Sequence, residues 1–292
     1  MHLQRGPPRL PVRTVVIGAG GFVGGAIVRL IAQMGGKVLA LSRKEVDLMT
    51  PDAAERLASL LEPGDAVVAA AAKAPCKDIA MMADNMIMVK SMVDALRKAQ
   101  VSHVVNISSD AVYADEPLPL SESSLAAPTS MHGAMHLARE IAFASEVKAP
   151  MAQLRPTLIY GPGDPHNGYG PNRFRRLANA NQDILLFGEG EERRDHVLID
   201  DVAELAVRVL SHRSQGVLNI ATGTVHSFRS VAEQVVAISP NKVRISGTSR
   251  QGPMPHNGFR SFDPAAATSA FPEFAFTMLE IGLRRAQTEG NG

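Results

Sequence analysis

Short apolar runs alternate along the chain with longer stretches in which apolar residues recur every three or four positions. "VRTVVIG" (12–18), "KVLALS" (37–42), "DAVVAAA" (65–71), "HVVNISS" (103–109) and "MAQLRP" (151–156) have strand length. Runs this continuously apolar predict strands buried on both faces. Residues 22–36, 51–61, 78–99 and 130–147 carry helical spacing between them. The first of these stretches ends at a glycine pair, and the second has Pro51 in its first turn. Strands and helices in alternation predict an α/β fold, a Rossmann-type doubly wound parallel sheet covered on both sides.

The texture changes after Pro156. "YGPGDPHNGYGP" (160–171) reads as a long loop. A helix near 172–180 and a strand over 184–187 are expected next. "HVLID" (196–200), the helix 201–210 and "GVLNIA" (216–221) return to the strand–helix pattern, and a second loop over 246–263 precedes a terminal helix. The expected organisation is a Rossmann domain over 12–156, continued by about 196–223. A smaller discontinuous C-terminal lobe takes 157–195 and 224–290. Residues 1–11, with three prolines, read as an irregular tail.

Composition narrows the partners. The 292 residues hold 30 basic and 29 acidic side chains, a net charge of +1, so neither nucleic acid nor a membrane surface is an expected partner. The single cysteine, Cys76, excludes an intramolecular disulfide and metal sites built from thiolates, and a cytoplasmic location is expected. No apolar run approaches the ~20 residues needed to span a bilayer. The first residues lack the apolar core of a signal peptide, and none is expected.

"IGAGGFVGG" (17–25) places Gly18, Gly21 and Gly24 in the spacing G-x-x-G-x-x-G between a strand and a helix. Such a turn lets the backbone approach a pyrophosphate, and the helix N-terminus offers free N–H groups to it. Phe22 and Val23 complete the turn. The end of the second strand selects the dinucleotide. Ser42, Arg43 and Lys44 stand there, and basic residues favour the extra phosphate of NADP, with NAD possible. The alternative for Arg43 and Lys44 is a solvated turn. Asp47 and Leu48 are expected to flank the adenine, Ala70, Ala71 and Ala72 to lie along the cofactor's middle, and Ser108 to join them.

The turn, "NISSDAVYAD" (106–115), "LRPTLIYGPGD" (154–164), "GEGEERRDHVLIDDVAE" (188–204) and "NIATGTVHSF" (219–228) together resemble the extended short-chain dehydrogenase/reductase family. Within it they look like the NAD(P)-dependent nucleotide-sugar epimerases, dehydratases and reductases. "LSRKEVDL" and "AAAKAP" are similar to the branch that makes GDP-fucose and, more loosely, to the dTDP-rhamnose reductases. The resemblance implies a keto-sugar substrate linked to a nucleotide. By it Ser109 is the catalytic serine that hydrogen-bonds the substrate oxygen. Asp110 stands where dehydratases keep an acidic residue, but their following glutamate is Ala111, which disfavours a dehydratase. Asn85 matches a structural asparagine. Arg194 matches an arginine that binds the substrate diphosphate, its alternative being an ion pair with Glu191, Glu192 or Asp195. Tyr113, Asn172 and Arg173 are further candidates for the substrate side. A homodimer through the helices 78–99 and 130–147 is also implied, although their apolar faces read equally as core.

The family's Tyr-x-x-x-Lys dyad is absent. In "TSMHGAMH" its two positions are His132 and His136, four apart and so on one helix face. Three readings follow. His132 replaces the tyrosine as acid/base and His136 the lysine as ribose anchor, with a rate that falls as pH rises through the His132 pKa. A helix N-terminus capped by Thr129 or Ser130 would depress that pKa. Alternatively the dyad is lost, and the protein is a catalytically weak or inactive binder of a nucleotide or sugar nucleotide. A metal pair is the third reading, but no third ligand is evident, and no metal site is expected. His103 reads as a core histidine. His166, His226 and His256 read as solvent-exposed loop residues.

Overall fold

The computed structural model describes Met1 and residues 7–289. Residues 2–6 of the expected tail and residue 290 of the expected lobe lie outside the described residues. In chain order come β1 (Thr14–Ile17), α1 (Phe22–Gln33), β2 (Val38–Leu41), α2 (Ala53–Leu60), β3 (Ala66–Ala69), α3 (Ile79–Lys98), β4 (His103–Ile107), α4 (Met131–Glu146) and β5 (Met151–Pro156). Then follow β6 (Leu158–Tyr160), α5 (Pro171–Asn179), β7 (Ile184–Phe187), β8 (Arg193–Leu198), α6 (Ile199–Ser211), β9 (Gly216–Ile220), β10 (Val225–Ser227), α7 (Phe228–Ile238), β11 (Ile245–Thr248), β12 (Phe259–Arg260), α8 (Ala265–Ala270) and α9 (Leu279–Glu289).

Six strands form a parallel sheet in the order β2-β1-β3-β4-β5-β9. Successive residues of a strand face opposite ways, which is why its strands are apolar throughout. Val15, Ile17, Val67 and Val104 pack with Leu57, Met92, Leu96 and Phe143 of α2, α3 and α4. Val16, Val68, Val105 and Leu154 pack with Ile27 and Ile31 of α1 and with Val202 and Leu205 of α6. The chain leaves β1 in one direction for β2 and in the other for β3. That reversal opens a crevice at the carboxyl ends of the strands, the usual ligand position in such sheets.

The smaller layer is built on β8, which pairs antiparallel with β10 and parallel with β6 and β12. Phe174, Ile184, Leu186, Leu198, Phe228 and Leu283 form its core. Here the structure departs from expectation. "HVLID" does not enter the parallel sheet: its first three residues end β8 and its last two open α6, and α6 and the later β9 pack on or join that sheet. The expected loop 246–263 contains β12 and the end of β11, and β6 follows β5 after a one-residue break. Two- and three-residue strands are too short to show a period, so their ladders are set by tertiary pairing. Among the described residues no helix is long and apolar enough to cross a membrane.

Candidate active site

A cleft of about 720 Å³ lies between the carboxyl ends of β1, β3 and β4 and the loops of the smaller layer. One wall is the glycine turn. Gly18 has φ +92°, and a Cβ there would stand 2.6 Å from the Ala71 nitrogen; a Cβ on Gly24 would stand 2.3 Å from the Gly18 carbonyl oxygen. The turn packs backbone on backbone, which only glycine permits. Gly21, Phe22, Val23 and Gly24 line the cleft, and Gly21 caps α1 with no side-chain bond to its N–H groups. The free N–H groups and this close approach fit a dinucleotide pyrophosphate. Ala70 and Ala72 line the cleft beside them, while Ala71 lies behind, against Gly18.

The residues after β2 lie off the cleft. Arg43 is 81% exposed and pairs with Asp47 at 3.0 Å. Glu45, which the sequence reading passed over, accepts the Ser42 N–H at 2.8 Å and its hydroxyl at 2.6 Å. Those bonds hold its carboxyl below the usual range. Leu48 is buried, its carbonyl accepting the Ser91 hydroxyl.

The opposite wall carries the candidate catalytic side chains. Ser108, Ser109, Asp110, His132 and His136 all line the cleft. Ser109 Oγ accepts the Ala111 N–H at 3.1 Å and donates to Asp110 Oδ1 at 3.3 Å. Ser130 caps α4 by accepting the Gly133 N–H at 3.0 Å, choosing between the two expected caps. A Cβ on Gly133 would stand 2.0 Å from the Ala111 carbonyl oxygen, so the first turn of α4 rests directly on the turn after Ser109. The two imidazoles meet edge to face with centroids 4.7 Å apart. His132 Nδ1 accepts the Cys76 N–H at 3.3 Å. Burial pushes the His132 pKa down; the Asp110 carboxylate opposes that and His166 adds to it. His136 is 5% exposed, its Nδ1 has no partner, and burial with the nearby His132 and Arg139 holds it well below the ordinary range.

Arg139, one turn further along α4, is fully buried. It donates to the Ala69 and Ala71 carbonyls at 2.6 Å and to Asn106 Oδ1 at 2.5 Å, and burial lowers its pKa to about 10. Asn85 binds Lys73 on both sides of its backbone and fixes the segment after β3.

Among the residues expected on the substrate side, Arg194 lines the cleft, paired with Glu192 and donating to the Pro255 carbonyl at 2.6 Å. The ion pair expected as its alternative role therefore forms, on a residue that still faces the cleft. Asn172 lines the cleft but spends its amide on Gly161 and Ile159. The Tyr113 hydroxyl donates to Asn219 Oδ1 at 2.7 Å, under the Arg155 guanidinium. Arg173 is exposed and lies off the cleft. One residue was not anticipated, and one expectation is corrected. Arg260 is buried and bonds Asp115, His256 and the Asp110 carbonyl. His256 is half-buried and paired with Asp115 rather than solvent-exposed. His166 is exposed at the rim, and His103 is a core residue whose Nε2 bonds the Ser214 carbonyl at 2.7 Å.

The model of the family described as "NAD dependent epimerase/dehydratase family" matches residues 14–221. The chain belongs to that family. Among its relatives, the dTDP-L-rhamnose 4-epimerase of Burkholderia thailandensis is 31% identical over 170 residues, 55% of this chain and 46% of that one. The chain thus spans about half the length of this relative. The UDP-glucose 4-epimerase of Mycolicibacterium smegmatis is 29% identical over 251 residues, 75% of this chain and 80% of that one. The Thermus thermophilus UDP-glucose 4-epimerase in complex with NAD shares the fold, with a TM-score of 0.81 at 23% identity over 96% of this chain and 99% of that one. In this epimerase/dehydratase chain the helix that follows Ser109 bears His132 and His136 one turn apart, both lining the cleft. Among the described residues no group of three or more His, Cys, Asp or Glu side chains is placed to hold a metal ion.

Proposed function

We propose that the protein is an NAD(P)-dependent epimerase or reductase acting on a nucleotide-linked keto sugar. The observation that carries this reading is one cleft lined by three things: the glycine turn, the side chains of Ser109 and His132, and the arginines Arg194 and Arg260, the latter against Asp110. The dinucleotide, held by the turn and the N–H groups of α1, supplies hydride chemistry at the sugar carbon. The chain's own residues bind and orient. Ser109 and His132 meet the sugar oxygen, and His136 meets the nicotinamide ribose without bringing a charge. Arg194 and Arg260 bring positive charge to the cleft wall that suits a diphosphate, with their N–H groups engaged by Glu192, Asp115 and backbone carbonyls. Arg43 and Lys44 favour NADP; the Glu45 carboxylate beside Ser42 suits the ribose hydroxyls of NAD. The exposed Ile79 and Ile87 of α3 and Ile141 of α4 support a homodimer through these helices.

A binder without turnover is the second reading. It is favoured by the depressed pKa values of both imidazoles, which leave no charge at the lysine's position. Purified protein incubated with either dinucleotide and a panel of UDP-, GDP- and dTDP-linked sugars separates the two. Interconversion of 4-epimers or consumption of reduced dinucleotide is expected. Tight dinucleotide binding with no turnover on any sugar refutes the enzyme reading.

A further inference from the structure

The tyrosine of this dyad and the histidine found here differ in more than pKa, because an imidazole has two nitrogens whose protonation is linked. A neutral imidazole carries one proton, so whichever nitrogen accepts a hydrogen bond leaves the other as N–H. His132 Nδ1 accepts from the Cys76 N–H at 3.3 Å. Turning the ring over would aim a carbon at that N–H and leave it without a partner. The bond therefore requires the proton of neutral His132 to sit on Nε2. Among the described residues no group bonds to Nε2, and the ring lines the cleft.

The consequence touches both proton-transfer roles. As a base, Nε2 would need a lone pair, which moves the proton to Nδ1, in front of the Cys76 N–H. As an acid, His132 would first become imidazolium, which places the same proton in the same spot. Either state sets two donors against each other and leaves a backbone N–H unpaired, at a cost of about 1–3 kcal/mol.

We propose that the Cys76 N–H locks His132 as a neutral Nε2–H hydrogen-bond donor to the sugar oxygen, leaving proton transfer to Ser109 and Asp110. A neutral imidazole that polarises an oxygen is a known electrophilic device. The Ser109 hydroxyl already donates to Asp110 Oδ1. On oxidation of the sugar carbon, the proton of the sugar hydroxyl passes to Ser109 Oγ as the Ser109 proton passes to Asp110 Oδ1. The sugar O–H bond breaks, Ser109 Oγ loses one O–H bond and gains another, and a new O–H bond forms at Asp110 Oδ1, which ends as the acid; the hydride of the sugar carbon would go to the oxidised dinucleotide. Reduction runs the same path backwards. The groups that bear on His132 are Asp110 after β4, His166 on the loop 161–170, His136 on its own helix with Arg139 beneath, and Cys76 itself. Asp110 alone among them favours the imidazolium, and its own carboxylate also lies 3.4 Å from the Arg260 Nε.

The proposal rests on the epimerase or reductase reading for the oxygen that His132 meets, but the lock is testable without it. Nitrogen-15 NMR of the protein without ligand, with His132 assigned by its loss in His132→Gln, reads the tautomer directly. An unprotonated Nδ1 and a protonated Nε2 are expected throughout pH 5.5–8.5, about one unit below to two above the free imidazole pKa. A protonated Nδ1, as tautomer or imidazolium, overturns the lock whatever the enzyme does. Turnover then tests the consequence. His132→Gln keeps an N–H donor and is expected to stay within about tenfold of the parent, whereas His132→Phe loses about 10²–10³-fold. Asp110→Asn is expected to lose about 10²–10⁴-fold together with the acid limb of the pH profile. Equal losses in Gln and Phe, or an acid limb that survives Asp110→Asn, overturn the assignment of the proton. A locked tautomer in a protein that turns over no sugar nucleotide overturns the function and leaves the lock standing.

Discussion

Replacing Gly18 with alanine attacks the turn at two points that a second glycine allows to be separated. At φ +92° an alanine incurs the left-handed penalty of about 1–2 kcal/mol. Its Cβ would also stand 2.6 Å from the Ala71 nitrogen and 2.7 Å from the Ala71 Cα, both backbone atoms in the segment after β3. Forcing such a contact apart costs about 1–3 kcal/mol more. Gly64 supplies the control: its φ is +89°, and a Cβ there meets nothing within 4 Å. Gly64→Ala therefore carries the conformational cost alone. Urea unfolding is expected to show a loss of about 1–2 kcal/mol for Gly64→Ala and of about 2–5 kcal/mol for Gly18→Ala. A domain of ordinary stability, about 5–15 kcal/mol, remains folded after either. Calorimetric titration with NAD and NADP should then show unchanged affinity in Gly64→Ala. In Gly18→Ala a shift between β1 and β3 that costs the bound state about 1.4 kcal/mol or more weakens binding at least about tenfold. Equal stability losses in the two variants, or full dinucleotide affinity in Gly18→Ala, would refute the argument that the turn works by backbone approach.

Three further outcomes are expected. His196 is buried with both nitrogens unpartnered, and burial holds its pKa at about 3. A depressed histidine stabilises the fold above the unfolded pKa near 6.5 and loses that contribution as pH falls from there toward its folded pKa. Between pH 7.5 and 5 the His196→Leu variant should lose about 2 kcal/mol less stability than the parent; identical pH dependence would count against it. Glu140→Ala leaves the Arg155 guanidinium buried without its bidentate partner at 2.6 and 2.9 Å and should cost about 3–5 kcal/mol, most of it recovered in Glu140→Leu/Arg155→Met. Additive losses in that double variant would show that the pair is not the source. Arg43→Ala should weaken NADP about tenfold and leave NAD unchanged, one charged hydrogen bond being worth about 1.5 kcal/mol or more; equal effects on both would assign selection to Glu45.

What was legible in the sequence was what local pattern fixes. The parallel sheet follows from strands with no polar face, and the glycine turn from three glycines between a strand and a helix. The serine and the two histidines followed from position along a resemblance. The rest depends on contacts between distant parts of the chain. Arg260 reaches Asp115 and Asp110 across about 145 residues, through a strand of two residues inside what reads as loop. The partner of His132 is a backbone N–H 56 residues earlier, and a backbone group carries no signature in sequence. Arg139 reads as an ordinary helix-face arginine, because nothing local marks a guanidinium that ends on three neutral oxygens.

The contact of Gly133 with the Ala111 carbonyl has a bearing on how such a site changes over time. It seats α4 against the turn after Ser109 through main chain on both sides, next door to His132. The spacing between the serine and whatever residue occupies 132 is thus independent of that residue's size or chemistry. A change of side chain at 132 alters what meets the cleft without relocating the helix that carries it. The frame behaves as a socket, and new chemistry can be tried in it one side chain at a time.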